Sequence, residues 1–308
     1  MPAARARTNL VVVALTASVA IWLLVVVPAA GQRPESTRDT PVWLDPDRES
    51  PAGTRYHTFN SSTVNKKASC LVWLPPEYSR TSNTKFPVIY WLHGIGGNQR
   101  TFSEKYLPAY FEALKQKAAP TAIVVGVNGI PGSLYADAAN GKCLVESVII
   151  KDLIPNIDKS YRTIATREGR MIEGFSMGGM GAARLGFKYP DMFGAIVINS
   201  AGPLGMQGKV APISREVFGT VELARAEMPV AWARKNAETL KKETLIRLAC
   251  GTDDDLIDDN RQLDAALNKL GIPHAFIELP GVGHNPAKLY DALGQRAFRL
   301  HLRAFSGI

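Results

Sequence analysis

Residues 171–183 read Met-Ile-Glu-Gly-Phe-Ser-Met-Gly-Gly-Met-Gly-Ala-Ala, and they decide the fold class. A short apolar run, Met171 to Glu173, is followed by the pattern G-x-S-x-G over Gly174 to Gly178. Small residues then open a segment of helical composition that stops before Pro190. Strand, sharp turn and helix in this order lift a serine hydroxyl above the end of a sheet, at a helix N-terminus whose amide dipoles favour developing negative charge. The glycines let the helix start lie close against the strand. A tight turn around a hydrogen-bonded serine needs the same glycines, so the reading of Ser176 as a nucleophile depends on a base and a carboxylate elsewhere in the chain.

The chain has five histidines. His57 lies in an early strand-like run, His93 precedes a glycine turn, His274 opens a late strand and His301 falls in a C-terminal helical segment. His284, in Pro280-Gly281-Val282-Gly283-His284-Asn285, directly follows the last apolar run and so shares a sheet edge with Ser176. A carboxylate must fix its tautomer and stabilise the imidazolium. The run Leu248-Ala249-Cys250-Gly251-Thr252-Asp253-Asp254-Asp255 supplies three candidates at the end of the preceding strand. A calcium loop is a competing reading, but Asp253, Asp255 and Ile257 break the ligand alternation and the sixth position lacks glycine. The chain order Ser, Asp, His is that of α/β-hydrolases.

Outward from these motifs, eight apolar runs read as strands: 55–59, 70–74, 88–92, 122–127, 171–173, 195–198, 245–249 and 275–279. The first two are joined by a polar turn and suit a hairpin. The later ones alternate with helical patterns near 103–117, 144–159, 177–188, 258–270 and 287–304. This rhythm predicts an α/β fold, a mostly parallel sheet of about eight strands with helices on both faces and its chemistry outside the carboxyl ends of the strands. Residues 202–242 break the rhythm and read as a cap or lid. At the third strand, Val88-Ile89-Tyr90-Trp91-Leu92 runs into His93-Gly94-Ile95-Gly96-Gly97, a turn whose amides, with that of Met177, can receive an oxyanion.

The 308 residues are 46% hydrophobic and 21% charged, which suits one sizeable core. Arg5 and Arg7, an apolar run from Leu10 to Val27 and the small residues Ala29, Ala30 and Gly31 form a secretory-signal layout over residues 1–30. The run is also long enough for an uncleaved anchor. The small residues at the cut favour cleavage, and the body is then expected outside the cytoplasm, secreted or periplasmic. Residues 31–53 read as a linker or loosely docked arm, which leaves 54–308 as the catalytic domain. The net charge of +8 is scattered, with no basic helix interleaved with aromatics, so nucleic acid is not an expected partner. No membrane is expected either unless the leader stays on. Export would allow two of Cys70, Cys143 and Cys250 to bridge, although two of them sit in apolar strand-like runs as buried thiols do. No spacing suggests zinc or a phosphate loop, and no cofactor or metal is implied.

Taken together, LVWLPPEY, FPVIYWLHGIGGN, DLIPNIDKSYRT, RMIEGFSMGGMGAARLGFKYPDMFGAIVINSAG, CGTDDDLIDDN and PGVGHN resemble the esterase family that includes feruloyl and acetyl-xylan esterases. Relatives of that family include S-formylglutathione hydrolases and mycolyltransferases. The resemblance runs from about Thr54 to the C-terminus and implies Ser176 as nucleophile, His284 as base, Asp254 as acid, and the Ile95 and Met177 amides as the oxyanion hole. Where many members continue the histidine turn with an aspartate and a tryptophan, this chain has Asn285 and Pro286, a departure that bears on the acyl pocket.

The chemistry expected is acyl transfer through an acyl-serine to water, with a rate that rises through near-neutral pH as His284 becomes neutral. The expected substrate is a small or polysaccharide-linked ester, feruloyl, acetyl or general short-chain. An acyltransferase with the same triad, or a non-catalytic binding module on the same fold, are the competing expectations.

Overall fold

The computed structural model describes residues 38–45, 50–51, 53–205 and 210–307. The signal or anchor expected at 1–30 lies outside them. Eight strands form one sheet in the order β1-β2-β4-β3-β5-β6-β7-β8. They are β1 (Thr54–Ser61), β2 (Lys66–Trp73), β3 (Val88–Leu92), β4 (Ile123–Val127), β5 (Arg170–Phe175), β6 (Ala195–Asn199), β7 (Leu245–Gly251) and β8 (Ala275–Leu279). β1 and β2 make the hairpin expected from their polar turn, β2 meets β4 antiparallel, and every later pairing is parallel. Each of β3, β4 and β6 is buried at all five positions, which explains their unbroken apolar sequences: a parallel strand covered on both faces has no side to leave polar.

Between the strands run α1 (Pro76–Arg80), α2 (Thr101–Lys105), α3 (Leu107–Lys115), α4 (Val145–Ser147), a π-helical stretch (Val148–Leu153), α5 (Ile154–Ser160) and α6 (Met177–Lys188). The β6–β7 connection carries α7 (Pro212–Phe218), α8 (Val221–Glu227), α9 (Pro229–Lys235) and α10 (Ala237–Glu243). α11 (Ile257–Lys269), α12 (Pro286–Leu293), a 3-10 turn (Gly294–Phe298) and α13 (Arg299–Phe305) complete the order. Alternate residues of a strand serve opposite faces. Tyr90, Leu92, Ile172, Ile196, Ile198 and Leu248 pack with α5, α6 and α11 on one side. Ile89, Trp91, Met171, Val197 and Ala249 pack with α3, α12 and α13 on the other.

Three expectations are modified. The helix expected at 103–117 is two, divided at Tyr106, where Pro108 opens the second within its first turn. The one expected at 287–304 divides at Gly294, whose φ of 53° stops α12. The described part of the arm, residues 38–45, is pinned rather than loose. Trp43 is buried, Ser69 N–H donates to Trp43 O at 3.0 Å, and Asp45 N–H donates to Ser69 Oγ at 2.9 Å. Within the segment read as a cap, Val217, Phe218, Ala224, Ala233 and Leu240 join the core on the α6 side. Arg184 of α6 is ion-paired with Glu146 at 2.5 Å and with Glu227 of α8, tying that layer down.

Candidate active site

Ser176 sits between β5 and α6 with φ 61° and ψ −122°, a backbone conformation that non-glycine residues rarely adopt. Its neighbours enforce it: Ser176 N–H donates to Asn199 O at 3.0 Å, and Ser176 O accepts from Met180 N–H at 3.0 Å and Gly202 N–H at 3.2 Å. The turn needs glycine where backbones nearly touch. A Cβ on Gly178 would lie 2.0 Å from Leu92 O, and one on Gly174 would lie 2.2 Å from Gly178 O.

The ends of β7 and β8 bring two more side chains to Ser176. His284 Nε2 lies 2.9 Å from Ser176 Oγ, and His284 Nδ1 lies 2.8 Å from Asp254 Oδ2. An Nδ1 facing a carboxylate carries its proton, which leaves the Nε2 lone pair for the serine hydroxyl. Of the three aspartates, Asp253 and Asp255 are exposed, and Asp254 is the buried one. Burial pushes the Asp254 pKa up, but hydrogen bonds from His284 and from Leu256 N–H outweigh it and hold the carboxyl below its ordinary value. Phe175 backs the imidazole at 4.7 Å between ring centroids. His57 bonds Asn156, His274 bonds Asp264 and His301 bonds Glu173, so these three are engaged elsewhere.

The turn after β3 flanks the serine: a Cβ on Gly94 would lie 3.4 Å from Ser176 Cβ. This brings the backbone of Gly94 and Ile95 beside the hydroxyl, with the Ile95 side chain turned out to solvent at 51% exposure and Met177 buried on the other flank. His93 holds the turn. Its Nδ1–H donates to Gly94 O at 2.7 Å, its Nε2 accepts from Gly129 N–H at 3.1 Å, and its carbonyl accepts from Tyr135 O–H at 3.0 Å. The sequence reading passed over this role, although a histidine opening a glycine turn at a strand end was its signal.

Also missed was a buried polar cluster beneath the serine. Glu173 on β5 is fully buried and accepts from His301 Nε2 at 2.8 Å, Tyr290 O–H at 2.9 Å and Asn199 Nδ2 at 3.1 Å, with the Arg247 guanidinium at 3.8 Å. Its signal was a charge inside each of two apolar strands, since a charge there must find a partner. The three cysteines are all free and buried, so the bridge considered from export is absent.

These groups give stability a definite pH dependence. Burial lowers the His93 pKa to about 4 despite the opposing Gly94 carbonyl. Glu173, Glu146 and Asp254 are also lowered, since their partners outweigh the upward push of burial. In each case the unfolded chain binds protons first as pH falls, so the stability is complete above the unfolded values and lost on acidification. Urea unfolding should therefore show stability declining from about pH 6.5 toward 4, by roughly 3 kcal/mol for His93, and falling further at lower pH as the carboxylates protonate. His93→Gln should flatten the upper part of that curve. Equal stability at pH 7 and pH 5 in the unsubstituted chain would contradict this account.

Residues 61–270 match the family Esterase, described as "Putative esterase". The chain belongs to this esterase family. It is 30% identical over 262 residues to an esterase of Mycobacterium tuberculosis, a match covering 74% of this chain and 55% of that protein. The chain thus spans about half the length of that relative. An acetyl esterase of Caldicellulosiruptor saccharolyticus is 26% identical over 246 residues, covering 74% of this chain and 90% of that one. A solved ferulic acid esterase superposes with a TM-score of 0.70 at 26% identity, covering 82% of this chain and 98% of that one. The chain thus has the α/β-hydrolase fold expected from its order of strands and motifs.

Proposed function

We propose that this esterase hydrolyses carboxylic esters through an acyl-enzyme on Ser176, with His284 as general base and then general acid, and Asp254 orienting it. The observation that carries the reading is the unbroken Asp254–His284–Ser176 hydrogen-bond chain, ending on a serine held in a strained strand-to-helix turn. In the first step Ser176 Oγ attacks the carbonyl carbon while Nε2 takes its proton. The tetrahedral oxyanion is received by the Ile95 and Met177 amides, which typically contribute about 3 kcal/mol each. The alcohol leaves with the proton from Nε2, and water attacks the acyl-serine by the same route in reverse. All of these steps run on the chain's own groups.

Water is the favoured acceptor because His284 is exposed and Ser176 only half-buried, whereas transfer to a sugar or lipid alcohol requires a site that keeps water out. The names of the relatives, acetyl esterase and ferulic acid esterase, support acetyl or feruloyl esters as the acyl class, and we infer a polysaccharide-linked or small short-chain ester as the substrate. The leader layout supports action outside the cytoplasm. Turnover of p-nitrophenyl acetate, p-nitrophenyl butyrate and methyl ferulate tests the reading, and the ratio of ferulate to acetate rates chooses the acyl class. Asp254→Asn should lower kcat by about 10³- to 10⁴-fold with little change in KM, since the imidazole would then adopt the wrong tautomer. A chain inert toward all three esters would sink the proposal.

A further inference from the structure

The active site uses the carboxyl ends of β7 and β8; a separate cleft of about 420 Å³ lies at their amino ends, against the 3-10 turn and α13. That volume is in the range of small-molecule sites. Leu245, Pro273, Ile277 and Leu300 give it apolar walls, and Arg296, Arg299 and Arg303 line it as well. Arg299 and Arg303 are one helical turn apart, so their like charges stand side by side on α13. Both are exposed, and among the described residues neither is in an ion pair, whereas Arg296 donates to the Ala292 and Leu293 carbonyls. Arg247 forms part of the wall, and its Nε, Nη1 and Nη2 are buried without a hydrogen bond. Its nearest carboxylate oxygen, on Glu173, is 3.8 Å away and already accepts from Tyr290 and Asn199. Asp264, beside the rim, is taken by His274 at 2.8 Å. The cleft therefore combines apolar walls with the exposed charges of Arg299 and Arg303, which among the described residues have no ion-pair partner.

We propose that this cleft binds a small amphipathic carboxylate, its head group on Arg299 and Arg303 and its apolar body along Leu245, Ile277 and Leu300. Planar guanidinium groups suit a carboxylate in two-pronged pairing, and the apolar walls distinguish such a ligand from an inorganic anion. Binding here is independent of the ester chemistry at Ser176. The test is calorimetric titration of octanoate, octan-1-ol and inorganic phosphate into the native chain, into R299E/R303E and into the milder R299Q/R303Q. Octanoate should bind the native chain at least roughly tenfold more tightly than either control, and both double variants should weaken it by roughly tenfold or more. Ester turnover should be unchanged in R299Q/R303Q while octanoate binding weakens, which separates the cleft from product binding at the ester site. Undiminished binding in R299Q/R303Q, equal binding of octan-1-ol, or no octanoate binding by the native chain would overturn the proposal. Self-association abolished by R299E/R303E would overturn it in favour of a second copy in the cleft.

Discussion

Ser176→Ala is expected to lower kcat for ester hydrolysis by roughly 10⁴- to 10⁶-fold while leaving the melting temperature close to that of the unsubstituted chain. In the proposed mechanism the hydroxyl bonds to the substrate carbonyl, and His284 Nε2, 2.9 Å away, has no second nucleophile to activate except water. Such a variant keeps only what positioning and the oxyanion amides provide, which explains why a residual rate above that in water is expected rather than none. Alanine keeps the backbone bonds of the turn, because Ser176 N–H to Asn199 O and Met180 N–H to Ser176 O do not involve the side chain. Burst and steady-state kinetics on p-nitrophenyl acetate, beside a thermal melt, make the comparison. Retention of more than about a tenth of the activity would remove Ser176 from the mechanism.

Glu173→Leu should be the most damaging single change to stability, about 3–5 kcal/mol in urea unfolding. The carboxylate is the shared acceptor for side chains from β6, α12 and α13, and the Arg247 charge on β7 stands beside it. Removing it strands that guanidinium in the interior and leaves the His301 and Tyr290 donors unpaired. The effect should be rescued in part by Glu173→Leu combined with Arg247→Met, because an apolar pair of similar volume needs no counter-charge. A loss of less than about 1 kcal/mol for Glu173→Leu alone would mean that water reaches this cluster freely.

The sheet was legible because buried parallel strands leave long apolar runs between turns, and all eight runs correspond to strands of the observed sheet. Ser176 and His284 were legible for a related reason: each follows a recognisable strand in a glycine-rich turn. The choice among Asp253, Asp254 and Asp255 was not available from composition. It depends on which of three adjacent side chains turns inward, and only the family pattern singled out Asp254. Helix breaks at Tyr106 and Gly294 were hidden because apolar periodicity carries across a short interruption. The Glu173–His301 pair was hidden by distance along the chain, 128 residues, over which no local pattern links two side chains.

The backbone of Ser176 carries an implication for how such a sequence can change. Its φ of 61° is one that glycine adopts freely and serine only against a penalty of roughly 1–3 kcal/mol. A lineage selected for thermal endurance alone would drift toward glycine at position 176 and lose the proposed nucleophile. The persistence of a serine at this strained position would then report that selection has acted on turnover, at a standing cost in heat tolerance.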